Sequence, residues 1–169
     1  MQLTKLTAHF SADVLVSSDT FPRTCCLQSG TQDFRSKTNA PCSGEYSLVK
    51  AAAVIHKMGP KYLVIKKGEH GALLFHNKEV FFAPALPLEE VFDPTGAGDT
   101  FAGGFAGYIT QSENVTFENM KNAIIYGSNL ASFCVEKFGT ERMVGLKSDE
   151  VTDILQQFKS LTQFDIEIQ

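Results

Sequence analysis

The run Asp93–Pro94–Thr95–Gly96–Ala97–Gly98–Asp99–Thr100–Phe101 holds the residue types and spacing best suited to chemistry in this chain. Two glycines separated by one alanine let a ligand come close to the backbone. The stretch that follows, Phe101 to Ile109, is rich in alanine and glycine and reads as a helix. The turn therefore opens a helix, where N–H groups lacking intrahelical partners point outward at the positive end of the dipole. Such an end attracts an anion, and the dipole alone contributes about 0.3–2 kcal/mol per charge. Asp99 falls in the first turn, which favours its ionised form and leaves it able to accept a proton. A phosphate cradle beside a carboxylate base is what phosphoryl transfer to a hydroxyl requires. The same four residues, Gly96 to Asp99, also fit a plain capped helix. Two other phosphate motifs do not fit. No lysine follows to make a Walker loop, and Phe101 stands where a dinucleotide fingerprint needs its third glycine.

The elements around this turn can be read from periodicity. Leu48, Ala51, Ala52, Ile55 and Met58 recur at helical spacing, and Gly59–Pro60 stops that helix. Tyr62–Leu63–Val64–Ile65 reads as a short buried strand. Helix, Gly-Pro turn and strand make the second half of a β-α-β unit, which predicts an α/β fold with a parallel sheet and covering helices. Lys66 to Gly71 forms a turn. Ala72–Phe75 and Glu79–Ala83 are two more strands, joined as a hairpin through His76–Asn77–Lys78 and ended by Pro84 and Pro87. His76 is expected at the hairpin tip in solvent. His56 falls in the first helix, half-exposed, and His70 sits in the turn before the hairpin. Thr116 caps a further helix with Met120, Ile124 and Leu130 on its apolar face, continuing toward Val135. Ser148 is expected to cap the last helix, whose stripe is Val151, Ile154, Leu155, Phe158 and Leu161. Phe101 and Phe105 are expected to pack their helix against the sheet.

Residues 1–43 read differently. Ala12 to Val16 fits a short strand, but the rest is loop-like, with Pro22, Ser29–Gly30–Thr31 and a polar run to Pro41. That is long for an irregular stretch in a compact domain. A tail, a foreign segment and a piece of a larger fold all remain open for it. Three of the four cysteines, Cys25, Cys26 and Cys42, lie here, and only Cys134 lies beyond. With no Cys-x-x-Cys pair, reduced thiols fit better than zinc or a disulfide framework.

The 169 residues, 43% hydrophobic and 20% charged, suit a globular domain with a real core. The net charge of −4 gives no basic field to attract nucleic acid or an anionic membrane. No window approaches the ~20 apolar residues of a membrane span, and Met1–Phe10 shows no secretory pattern. A cytoplasmic location is the default expectation.

The run from Asp93 to Phe105 resembles the C-terminal signature of the PfkB carbohydrate kinases, the ribokinase-like superfamily. Val64–Ile65–Lys66–Lys67–Gly68–Glu69–His70–Gly71–Ala72 is similar to that family's strand and nucleotide loop. The resemblance covers roughly residues 43 to 145, and the last helix fits the family's C-terminus. It implies a ribokinase-like three-layer α/β/α fold with a mainly parallel sheet, of which residues 44–169 would be the ATP-side, C-terminal portion. It implies an ATP-dependent kinase acting on a hydroxyl of a sugar or nucleoside. Asp99 would be the base, and the N–H groups of Gly96, Ala97 and Gly98 the anion hole. Lys66, Gly68 and Gly71 would follow the phosphates and ribose of ATP, and Asn129 would line the adenine. Lys66 departs from the threonine that other members carry, though a cation beside phosphate is chemically sensible. Asp93 and Thr95 match positions that hold a monovalent cation, such as K+, in some members. Mg2+ would accompany ATP, held mostly by phosphates and water. Full-length members form homodimers through a lid. That lid and the rest of the acceptor-binding half are not recognisable in residues 1–43. The family's Asn-x-x-Glu motif is also missing from Lys37 to Glu45, where Asn39 and Glu45 are six apart. A truncated kinase-like domain that binds nucleotide, or only folds, without turnover is the alternative.

Overall fold

Leu48, Ala52 and Ile55 return to one side of a helix after four and then three residues, and that spacing sets the first element of the core. The computed structural model describes residues 14–18, 26–27, 48–57, 59–112, 114–163 and 165. Met58, Ala12, Cys25, Cys42 and the Lys37–Glu45 stretch lie outside them. Helix α1 spans Leu48–His56. It ends where expected, with the Gly59 N–H donating to the His56 carbonyl at 3.1 Å. The His56 Nδ1 then donates to the Pro60 carbonyl at 2.8 Å.

The chain divides into two units, Met1–Phe82 and Ala83–Gln169. The first is built on a sheet of β1 (Val14–Ser18), β2 (Cys26–Leu27), β3 (Tyr62–Lys66), β4 (Ala72–His76) and β5 (Glu79–Ala83), in the order β2-β1-β3-β4-β5. The strand expected at Ala12–Val16 is present, shifted two residues along. Strand β1 runs parallel to β3, with Val14 opposite Tyr62 and Ser18 opposite Lys66. Strand β2 is antiparallel to β1, and β4 antiparallel to β3. The described sheet is therefore mixed, where a mainly parallel one was expected. The physical reason is the connections. Lys67–Gly71 and Asn77–Lys78 are too short for the dozen or more residues of a parallel crossover, so β3, β4 and β5 can only turn back on themselves.

Leu63, Ile65 and Phe75 pack with Ala52 and Ile55, and Leu48 and Leu73 close around them. Val64 and Leu74, paired across the strands, are also fully buried. Strand β3 is thus covered on both faces, which explains why its apolar run does not alternate. His76 is not the solvated tip residue expected. Its ring stacks on Tyr62 with centroids 4.3 Å apart. Its Nδ1 donates to the Lys61 carbonyl at 2.9 Å and its Nε2 accepts from Asn77 at 3.0 Å. The tight turn leaves Asn77 at φ 52°, a conformation asparagine tolerates.

The second unit is helical among its described residues: α2 (Ala97–Gln111), α3 (Phe117–Cys134), α4 (Glu141–Val144) and α5 (Ser148–Thr162). Thr116 caps α3 as expected, its side chain accepting from the Asn119 N–H at 3.2 Å. Helix α5 differs by one residue. Lys147 holds the cap position, and the Glu150 carboxylate accepts its backbone N–H at 3.0 Å, so Ser148 is already helical. Phe158 is the buried centre of its stripe, while Leu161 is exposed.

Helices α2 and α3 cross where two glycines meet. A Cβ on Gly127 would lie 2.7 Å from the Phe101 carbonyl oxygen and 3.1 Å from the Phe101 ring. One on Gly104 would lie 2.8 Å from Leu130 and 3.1 Å from Gly127. Phe101 thus meets α3, a contact that the expectation of packing on the sheet had missed. The crossing accepts no added methyl without moving backbone. Gly127→Ala should cost about 1–3 kcal/mol, the usual penalty of an overpacked core. Urea unfolding followed through α2 and α3 amide exchange checks it, and a loss of under ~0.5 kcal/mol, as for an ordinary surface change, would contradict the close crossing.

Candidate active site

The Asp93–Asp99 loop is shaped by its own short-range bonds before it meets any ligand. The Thr95 N–H donates to Asp93 Oδ1 at 2.9 Å, the local closure aspartate favours in turns. The Ala97 N–H donates to the Pro94 carbonyl at 3.2 Å, and the Gly96 carbonyl accepts the Thr100 N–H at 2.8 Å as the first helical bond of α2. Gly96 is the N-cap, at φ 84° and ψ −9°. Residues with a Cβ are strained there, whereas glycine is not. No side chain caps α2, so its positive end is contributed by backbone alone. Asp99 lies in the first turn and is exposed.

The loop is also held from outside. The Val135 carbonyl, just past α3, accepts both the Phe92 N–H (2.8 Å) and the Asp93 N–H (3.3 Å). Cys134 is 2% exposed, with its Sγ 3.8 Å from the Thr95 carbonyl oxygen. Sequence reasoning assigned neither residue a role at this loop. Their only signal is position, at the end of an apolar helix.

Of the residues expected to act, Asp93, Thr95, Gly96, Ala97, Gly98 and Asp99 form one continuous loop and helix start in the second unit. The Ala97 N–H already has a partner, so a ligand oxygen there would have to replace the Pro94 carbonyl. Lys66, Gly68 and Gly71 belong to the first unit. Lys66 ends β3, and Gly68–His70 is a single 3-10 turn. That turn is closed by Gly71 N–H to the Gly68 carbonyl (3.1 Å) and Lys67 N–H to the Gly71 carbonyl (2.7 Å). Asn129 is fully buried in α3, and its Nδ2 donates to the Val151 carbonyl at 2.8 Å. In this geometry it ties α3 to α5.

Hydrogen bonds from the Thr95 side chain, and then from its backbone N–H, hold the Asp93 carboxyl below the usual carboxylate range. The group is half-buried and ionised, which suits a cation-facing position. Among the described residues no three His, Cys, Asp or Glu side chains gather as a metal cluster. No described helix is long and apolar enough to cross a membrane.

A family model described as pfkB family carbohydrate kinase matches residues 32–160. That match begins before residue 43, where the sequence pattern first became regular, and ends after residue 145. A cytidine kinase of Thermococcus kodakarensis is 48% identical over 69 residues, which is 39% of this chain and 24% of the relative. The structure of a ribokinase from Thermotoga maritima is similar with a TM-score of 0.55 at 30% identity, covering 67% of this chain and 36% of that one. An aminoimidazole riboside kinase from Salmonella enterica, solved with aminoimidazole riboside and an ATP analogue, gives a TM-score of 0.56 at 26% identity, covering 67% and 37%. The chain thus spans about a quarter to just over a third of these proteins.

The Asp93 shift has a defined sign. Its folded value is lowered, so its contribution to stability is present above the ordinary carboxylate value of about 3.9 and is lost as pH falls through the lowered folded value. Thr95→Val removes the hydroxyl bond but keeps the N–H bond, and should move the Asp93 midpoint upward. Carboxyl carbon NMR titration reads it directly. Identical midpoints in the two proteins would remove the Thr95 hydroxyl as a cause and leave its N–H.

Proposed function

This chain belongs to the pfkB family of carbohydrate kinases, and on that premise we propose that it carries the ATP-side part of an ATP-dependent phosphotransferase acting on a hydroxyl of a sugar or nucleoside. The observation that carries the reading is the start of α2. A left-handed glycine turns the chain, no side chain occupies the cap, and an exposed carboxylate follows in the first turn. A polyanion fits that end by charge, since backbone N–H groups and the helix dipole both favour negative oxygen.

Asp99 takes the proton of the acceptor hydroxyl as that oxygen bonds to phosphorus and the bond to the departing nucleotide breaks. The N–H groups of Gly96, Ala97 and Gly98 stabilise the charge that develops on the transferring group. Lys66, Gly68 and Gly71 approach the nucleotide phosphates, with Lys66 as a point charge. Bound ATP supplies the phosphoryl group, and Mg2+ screens its negative charge. Asp93 and Thr95 would hold a monovalent cation such as K+, consistent with an ionised Asp93. The similarity to a cytidine kinase and a ribokinase supports a nucleoside or sugar as acceptor. The three-layer architecture belongs to this proposal as well, with the described mixed strands as one part of a mainly parallel sheet. A second reading, nucleotide binding without turnover, is supported by the missing Asn-x-x-Glu motif between Lys37 and Glu45.

Phosphate transfer from ATP to a panel of sugars and nucleosides tests the first reading. Asp99→Asn should lower kcat by about 10²–10⁴-fold, the usual contribution of a positioned base, while calorimetric ATP affinity is retained. An unchanged kcat would remove Asp99 from the base role. ATP binding with no transfer to any acceptor would favour the second reading.

A further inference from the structure

We infer that the last turn of α3 is the seat of the Gly96–Asp99 turn, with Cys134 as its positioning residue. Three hydrogen bonds from two neighbouring residues join the segments. The Val135 carbonyl holds Phe92 and Asp93 through their N–H groups, which fixes where the loop enters. The buried Cys134 thiol lies under the next stretch, 3.8 Å from the Thr95 carbonyl and 3.7 Å from where a Cβ of Gly96 would stand. Gly96 thus faces the sulfur across ordinary contact space, and the sulfur limits how far the turn can settle toward α3. Thiol donors are weak, so the thiol acts mainly by filling this space and secondarily as a donor to Thr95. The turn in turn aims the N–H groups at the start of α2, where a displacement of about 1 Å can cost about 100-fold in rate.

The consequence for turnover rests on the phosphotransferase reading above, so the test has a readout that does not. Amide NMR spectra of the chain are compared for native protein, Cys134→Ala and Cys134→Ser. Cys134→Ala should shift the Thr95, Gly96, Ala97 and Gly98 amides more than those of Gly104 and Gly127, which report general packing. Cys134→Ser keeps a donor on a smaller atom and should bring these amides part of the way back. In transfer assays, Cys134→Ala should lower kcat about tenfold with little change in the KM for ATP, since a displaced anion hole acts on the transition state. Should Cys134→Ala lose its dispersed spectrum, Cys134→Val reads the same contact: valine fills the space without a donor and should keep the Thr95–Gly98 amides near native, and shifts there larger than at Gly104 and Gly127 would overturn the space-filling role. The amide changes without turnover in the native chain would leave the seat standing and remove the kinase reading. Turnover in the native chain, with amides and kcat untouched by Cys134→Ala, would overturn the seat and leave the kinase reading intact.

Discussion

Gly96 is the constraint on which the second unit's offer to a ligand depends. At φ 84° it turns the chain through a left-handed residue, so that Asp93 to Thr95 run in one direction and α2 leaves in another. Space does not demand glycine there, because a Cβ would meet Cys134 only at an ordinary contact distance of 3.7 Å. Backbone conformation demands it. Without that turn the helix end would not follow directly on the Asp93–Thr95 closure, and Asp99 would not stand in the first turn beside the backbone donors.

The helices behind the turn carry a different kind of constraint. Gly104 and Gly127 are required by space, since each lies against backbone or side chain of the facing helix. Phe101 and Phe105 stack 6.2 Å apart along α2, and Tyr108 meets Tyr126 at 4.8 Å farther on. Beyond α3, Arg142 gathers the returning chain. It bonds Glu136 and Glu150, each at 2.6 Å, and covers the Phe133 ring at 4.8 Å. Those carboxylates raise the Arg142 pKa, and Arg142 lowers that of Glu150. The end of α3 is thereby fixed from the α5 side as well as from the loop side.

Much of this was legible in the residues. Helix α1, strand β3, the hairpin and the Thr116 cap all follow from period, Gly-Pro punctuation and cap chemistry. The signature from Asp93 to Phe105 located the candidate site and the family at once. Less legible were features set by chain segments far apart. The parallel pairing of β1 with β3, which sets Val14 opposite Tyr62, joins segments that neither period nor turn chemistry relates. His76 reads as a solvated turn residue until Tyr62 and the Lys61 carbonyl are seen beside it. Asn129 carries no sequence mark of its partner, the Val151 carbonyl 22 residues away, which takes its Nδ2 donor.

By itself the sequence determined the local conformations and the chemical identity of the site: a left-handed glycine, a carboxylate in the first turn of a helix, a polar closure before it. These depend on neighbours within four or five residues, where dihedral preference and capping act. The tertiary structure alone decided what holds that site. Val135 offers its carbonyl and Cys134 its buried sulfur because α3 ends beside the loop, and Gly104 and Gly127 let α2 lie close enough for that to happen. Close packing is a property of surfaces that meet, and residues about 40 positions apart in sequence carry no periodic mark of the partner they will touch.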